Sequence, residues 1–208
     1  MLSRLDGGAG VFSNLLLCVV CLSSGLQTFQ IHRGAGAGFL LQAVAPLVET
    51  AAPFTAPLGS DLDSGPLDST WFSAVVGLPL LAFAFHWLNG DHSTANILLG
   101  GALLLAAGSD FSGGGKAVMA HSIAMVASIT ILILSIFTGN GYGIIGSLLV
   151  GAAGLLEGTD LQRLLMLRKR DVVRCLMAGA NLTLQWALQR ARRELDQGAV
   201  GLSAETSN

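Results

Sequence analysis

The chain has 208 residues, of which 52% are apolar and 12% are charged, and its mean hydropathy is +0.65. Soluble domains carry about 25% charged residues, so this composition excludes a soluble globular protein. Between Val11 and Leu156 only Arg33 and Lys116 are basic, too few to keep a water-exposed surface of that length hydrated. The fold class predicted is therefore an all-α integral membrane protein, with no indication of nucleic-acid binding.

Six apolar runs are long enough, or nearly so, to be transmembrane helices, and they fall into three predicted hairpins. A short N-terminus (1–10) precedes the first hairpin (11–58), and an acidic loop (59–69) separates it from the second (70–108). A Gly-rich loop (109–116) leads into the third hairpin (117–158). The runs are Val11–Ile31, Gly38–Leu58, Thr70–Leu88, Ala95–Gly108, Ala117–Thr138 and Tyr142–Gly158.

The hairpins are suggested by an internal repeat. Asn89–Phe111 reads "NGDHSTANILLGGALLLAAGSDF", and Asn140–Leu161 reads "NGYGIIGSLLVGAAGLLEGTDL". Both open on Asn-Gly, a pair that favours a tight turn because both residues tolerate positive φ. The first hairpin fits the same pattern more weakly, with "HRGAGAG" as its turn.

Three hairpins place both termini and both connecting loops on one side of the membrane. That side then carries ten of the eleven basic residues, and Arg33 lies opposite. Since cytoplasmic loops are rich in Lys and Arg, both termini are predicted to be cytosolic, with an endomembrane such as the endoplasmic reticulum favoured. In the alternative interpretation, the first run is a secretory signal cleaved near Ser23-Ser24-Gly25, which would leave five helices.

The C-terminal region is predicted to form a basic, amphipathic cytosolic helix on the membrane surface (159–196), followed by a disordered tail (197–208). A span over 172–188 remains an alternative. It would move Arg190, Arg192 and Arg193 to the far side, against the charge bias. Cys175, beside the basic cluster, is a candidate palmitoylation site.

Three ionisable residues in or near the predicted spans, Glu49, His121 and Glu157, form a candidate ion or proton cluster. The alternative is that each lies close enough to the interface to be hydrated. His32, His86, Asp91 and His92 lack the spacing of a zinc site, so no metal is expected.

Small residues form stripes on the fifth and sixth runs, where membrane helices pack closely. The helix-packing residues predicted are Ala124, Ser128, Gly143, Ser147, Gly151, Gly154 and Gly158. No set of residues resembles a catalytic constellation, so neither an enzyme nor a cofactor is predicted.

Two function classes remain. The first is a non-catalytic accessory subunit, assembly factor or scaffold that lies in the lipid bilayer and packs against another membrane protein or a second copy. The alternative is a small oligomeric transporter or channel linked to protons or cations. Short, Gly-rich helices at corresponding positions of two repeats are its main support.

Overall fold

The computed structural model describes residues 2–55, 71–108, 113–159, 163–164 and 167–205. The helices are α1 (Leu2–Phe29), α2 (Arg33–Thr55), a π-helical turn (Ser73–Gly77) that continues into α3 (Leu78–Leu88), α4 (His92–Ala107), α5 (Gly113–Phe137), α6 (Gly141–Gly158) and α7 (Lys169–Glu205). Two-residue strands β1 (Arg163–Leu164) and β2 (Leu167–Arg168) pair antiparallel just before α7. The predicted acidic loop lies outside the described residues.

Six of the helices form a closed ring. In order around it, α1 packs on α2, α2 on the π-helical turn and α3, α3 on α5, α5 on α6, α6 on α7, and α7 on α1. Helix α4 lies at the edge, against α3 and the π-helical turn. The largest fully buried side chains inside the ring are Phe39, Phe85, Leu81, Ile131, Leu184 and Leu188.

Helix α2 begins five residues earlier than the predicted run, so "HRGAGAG" is not a turn. Its glycines allow close helix contact. A Cβ on Gly36 would lie 2.8 Å from Cα of Phe29, and one on Gly38 would lie 2.8 Å from the carbonyl oxygen of Gly77. Glycine occurs within helices where two backbones approach closely, as well as in turns, so a Gly-rich stretch does not by itself indicate a turn.

The turn between α3 and α4 contains Asn89-Gly90, as predicted. Gly90 has a φ of +80°, which a residue with a Cβ adopts only with strain. The N–H of Asp91 donates to the carbonyl of His86 (3.0 Å), the hydrogen bond of a Schellman motif. The carboxylate of Asp91 then accepts from the N–H of Thr94 (3.1 Å) and caps α4. Hydrogen bonds from Thr94 lower the pKa of Asp91 below its ordinary value.

The turn between α5 and α6 has the same geometry but not at the predicted Asn140-Gly141. The residue with positive φ is Gly139 (+65°), and the N–H of Asn140 donates to the carbonyl of Ser135 (2.9 Å). The Asn140 side chain accepts from the N–H of Gly143 (3.3 Å), and Gly141 is the first residue of α6. An alignment on Asn-Gly pairs Gly90 with Gly141. The structural equivalent of Gly90 is Gly139, two residues earlier.

The turn between α1 and α2 also ends on a polar side chain that precedes and caps the next helix. Nδ1 of His32 accepts from the N–H of Ala35 at 3.4 Å. Partial burial lowers the pKa of His32, which favours the neutral imidazole that this acceptor role needs. Each of the three turns thus ends on a polar residue that caps the following helix.

Three helices of the described residues are long and apolar enough to cross a membrane: Gly10–Phe29, Val118–Phe137 and Gly141–Gly158. Two shorter apolar helices, Ser73–Leu88 and His92–Ala107, accompany them. The bounds of the three spans agree within about two residues with the first, fifth and sixth predicted runs.

The C-terminal helix differs most from expectation. It continues through Glu205, across much of the predicted disordered tail, and its middle packs between α6 and α1 as one of the six ring helices. Ala180, Leu184 and Leu188 are fully buried, as are Ala187 and Asn181. Residues spaced four apart give α7 one apolar face, and this face packs in the bundle core.

Candidate functional site: a polar seam between α1 and α7

A line of hydrogen-bonded polar side chains joins α1 to α7, and we call it the polar seam. Its members on α1 are Ser13, Cys21, Ser24 and Gln27, and their partners on α7 are Asp171, Asn181, Gln185 and Gln189. Partner numbers increase together along both helices, so α1 and α7 run parallel. The seam extends along most of the candidate span Gly10–Phe29.

Glutamine side chains connect the helices at the C-terminal end of α1. Ser24 Oγ donates to Oε1 of Gln185 (2.8 Å), and Nε2 of Gln185 donates to Oε1 of Gln27 (2.6 Å). Gln189 adds a second donor to the same oxygen of Gln27 at 3.3 Å. Side-chain hydrogen bonds of this kind add to the van der Waals contacts that hold the helices of membrane proteins together.

The middle of the seam is a single buried pair. Nδ2 of Asn181 donates to Sγ of Cys21 at 3.1 Å, and both residues are fully buried. Because the pair is fully buried, neither side chain has water as an alternative partner, so the hydrogen bond fixes the register of the two helices.

The N-terminal end of the seam is ionic and includes α2. Arg174 forms an ion pair with Glu49, and its Nη1 lies 3.6 Å from Oδ1 of Asp171. Ser13 donates to the same Asp171 oxygen (3.0 Å), and Asn14 donates to Glu49 (3.2 Å). One guanidinium thus faces two carboxylates and compensates charges that would otherwise be costly away from water.

The candidate ion cluster does not share one set of contacts. Glu49 bonds to α1 and α7, as described above. His121 on α5 lies against α6, where a Cβ on Gly158 would be 3.6 Å from its Cε1. Glu157 is exposed, and its backbone carbonyl accepts from Nζ of Lys169 (2.7 Å).

Sequence reasoning missed the partners of Glu49. The sequence predicts a surface helix over 159–196, and Asp171 and Arg174 therefore have no expected contact with Glu49. The overlooked signal is spacing. Asp171, Arg174, Asn181 and Gln185 recur at intervals of three, seven and four residues, which places them along one face of a helix.

The small-residue stripes of α5 and α6 lie against each other. Ser128 donates to the carbonyl of Ser147 (2.7 Å), and a Cβ on Gly151 would be 3.4 Å from Oγ of Ser128. Gly143 faces Ser135 in the same way. Gly154 and Gly158 lie beside His121, and Ala124 packs on the bundle core. These faces are occupied by contacts within the chain.

The remaining candidates lie apart from the seam. Cys175 is an exposed free thiol on α7. Nδ1 of His86 is 3.2 Å from Oδ2 of Asp91, and the ring centroid of His92 lies 4.2 Å from that of Trp87 in a tilted contact. No group of three or more His, Cys, Asp or Glu suited to a metal ion occurs among the residues that the structure describes.

The chain matches no family model and no solved structure. It is similar to transmembrane protein 276 of Bos taurus, with 45% identity over 185 residues that cover 88% of this chain and 91% of the relative. Transmembrane protein 276 of Mus musculus is 43% identical over 87% of this chain and 90% of the relative. The Homo sapiens protein of that name is 44% identical over 86% and 88%.

Proposed function

The chain belongs to the transmembrane protein 276 family of membrane proteins, and on that premise we propose that it is a non-catalytic subunit of a membrane assembly. In this proposal, seven helices lie in the bilayer and α4 is the face that packs against a partner protein. The observation that carries the proposal is the exposed, glycine-containing surface of α4.

The arrangement of α7 supports a seventh membrane helix. It runs parallel to α1 along the polar seam and antiparallel to α6. Nδ2 of Asn140 donates to the carbonyl of Ala187 (2.9 Å), and Tyr142 stacks edge-on against Trp186. The stretch from Asp171 to Gln189 is roughly 28 Å long at 1.5 Å per residue, close to the thickness of a hydrocarbon core.

A membrane-spanning α7 would place the termini on opposite sides, in place of the two cytosolic termini expected from six spans. The side of the membrane that holds the N-terminus would still carry more basic residues than the other side. The side of the N-terminus would carry Arg4, Lys116, Arg163, Arg168, Lys169, Arg170 and Arg174, and the other side Arg33, Arg190, Arg192 and Arg193. Seven basic residues against four still favour a cytosolic N-terminus.

Epitope tags before Met1 and after Asn208 test this topology. In sealed vesicles, an added protease is expected to remove one tag and spare the other until detergent opens the membrane. Removal of both tags, or of neither, would refute the seventh span. A product that keeps the C-terminal tag but has lost the N-terminal one before protease is added would indicate cleavage of α1.

Helix α4 is the least covered helix of the bundle. Only Ala95 and Ala102 are buried among its residues, while Ile97 and Leu104 are 71% and 76% exposed. Its 16 residues span roughly 24 Å, less than a hydrocarbon core of about 30 Å. A neighbouring protein would shield the short helix from this mismatch.

The open side of α4 carries the feature that membrane helices use for association. A Cβ at Gly100 or at Gly101 would meet no atom within 4 Å among the residues that the structure describes, whereas Gly143, Gly146 and Gly151 of α6 face other side chains. Adjacent small residues permit another helix to approach closely, and van der Waals packing then drives association in lipid.

The double variant Gly100→Leu/Gly101→Leu is expected to reduce recovery of a co-purifying membrane protein about tenfold, equivalent to about 1.4 kcal/mol. The measurement is quantitative mass spectrometry after mild detergent extraction through a C-terminal tag. Val126→Phe adds bulk at an exposed position of α5 and serves as the control. Equal recovery from the double variant and the parent would remove the support for α4 as the partner face.

A further inference from the structure

A groove opens beside the C-terminal end of α1, where it faces residues 189–193 of α7, and we call it the terminal groove. Its lining includes Leu26, Gln27 and Gln30 from the α1 side, and Gln189, Arg192 and Arg193 from α7. We propose that the terminal groove binds the headgroup of an anionic phospholipid. This proposal does not depend on the partner face of α4.

The groove lies at the level where a headgroup would be. The candidate span of α1 ends at Phe29, so Gln27 and Gln30 flank the boundary between the hydrocarbon and the polar layer. Arg192 and Arg193 lie three and four residues after the last seam residue, Gln189, about one helical turn further along α7 and level with Gln30.

An apolar surface leads from the bilayer interior to the groove. Every third or fourth residue along one face of α1 is exposed and apolar: Val11, Leu15, Val19, Leu22 and Leu26. Leu26 belongs to both the stripe and the groove. The stripe would contact the acyl chains of the lipid whose headgroup occupies the groove. One lipid molecule would then bind to both the stripe and the groove.

The charge of the groove suits an anionic phosphate headgroup. Its lining includes two arginines and no acidic residue. Arg192 pairs with exposed Asp196 (3.2 Å), whereas Arg193 forms no ion pair with any residue in the described part of the chain. Guanidinium groups bind phosphate through paired hydrogen bonds, more tightly than neutral donors do.

The glutamines supply further donors. Oε1 of Gln27 accepts from Gln185 and Gln189, so its own amide N–H groups remain for another acceptor. Two cations and several amide donors, next to the apolar side chains of Leu26 and Ile31, match the chemistry of a phospholipid at the membrane interface. A soluble anion would use only the charged part of this surface.

The test measures binding of phosphatidic acid to the detergent-solubilised full chain by native mass spectrometry, with phosphatidylcholine of the same acyl chains for comparison. Arg193→Gln is expected to weaken phosphatidic acid binding about fivefold, and Arg192→Gln/Arg193→Gln more strongly. Arg190→Gln is the matched control. It removes the same charge from the same helix, but Arg190 pairs with Glu194 and lies outside the groove lining.

Three results would overturn the proposal. Equal losses of phosphatidic acid binding for Arg193→Gln and Arg190→Gln would show that binding depends on the overall surface charge and not on the groove. Equal binding of phosphatidylcholine would remove the requirement for an anionic headgroup. Competition by glycerol 3-phosphate or inorganic phosphate at the concentration of the lipid would identify a soluble-anion site. Thermal unfolding of each variant without lipid tests whether a loss of binding comes from misfolding.

Discussion

Replacing Arg174 with methionine is expected to destabilise the protein far more than replacing Glu49 with glutamine. Arg174 contacts the carboxylates of both Glu49 and Asp171. Its removal leaves two acidic groups facing each other in a largely buried place, at a cost of about 3–5 kcal/mol. Glu49→Gln leaves one carboxylate for one guanidinium, and we expect a loss of about 1 kcal/mol.

Thermal unfolding in a mild detergent, followed by intrinsic fluorescence, measures this asymmetry. Arg190→Met is the control, because the exposed pair of Arg190 with Glu194 contributes at most about 1 kcal/mol. Equal losses for Arg174→Met and Glu49→Gln would show that the ionic end of the polar seam does not balance charge in this way.

Substitution of Gly38 by alanine is the second change with a large expected effect. The new Cβ would lie 2.8 Å from the backbone oxygen of Gly77 and 3.1 Å from Cγ of Leu81. A backbone atom cannot rotate away as a side chain can, so α2 must move off the π-helical turn. Overpacking of this kind costs about 1–3 kcal/mol.

The control for this experiment is Gly100→Ala, also in the middle of an apolar helix. No atom of the described part of the chain lies within 4 Å of its added methyl group, and alanine favours a helix over glycine by about 1 kcal/mol. The transition temperature is therefore expected to fall for Gly38→Ala and to stay or rise for Gly100→Ala. An unchanged transition for Gly38→Ala would contradict the close contact between α2 and the π-helical turn.

The sequence predicted the most apolar helices well. Hydropathy and length alone place the spans of α1, α5 and α6, since a membrane helix needs little besides a long apolar run. Turn positions were less accurate. Asn-Gly is the stronger turn signal in isolation, yet at the second turn Gly139 takes the positive φ and Asn140 acts as the cap.

The position of α7 was not predictable from local pattern. Asn181 and Gln185 disfavour a membrane helix when each is considered without a hydrogen-bond partner. The free-energy cost of burying them is lower when such partners exist. Those partners, Cys21 and Ser24, lie about 160 residues earlier. The sequence likewise gives no sign that Glu49 pairs with Arg174, which lies 125 residues later in the chain.

The parallel contact between the first helix and the last has a consequence for biosynthesis. A ribosome delivers α1 to the membrane long before α7 exists, so Ser24 and Gln27 enter the bilayer without the glutamine they bond to in the finished bundle. The ring closes only when the end of the chain arrives. Until then, the insertion machinery or neighbouring lipid headgroups must satisfy those side chains, which makes closure the last step of assembly.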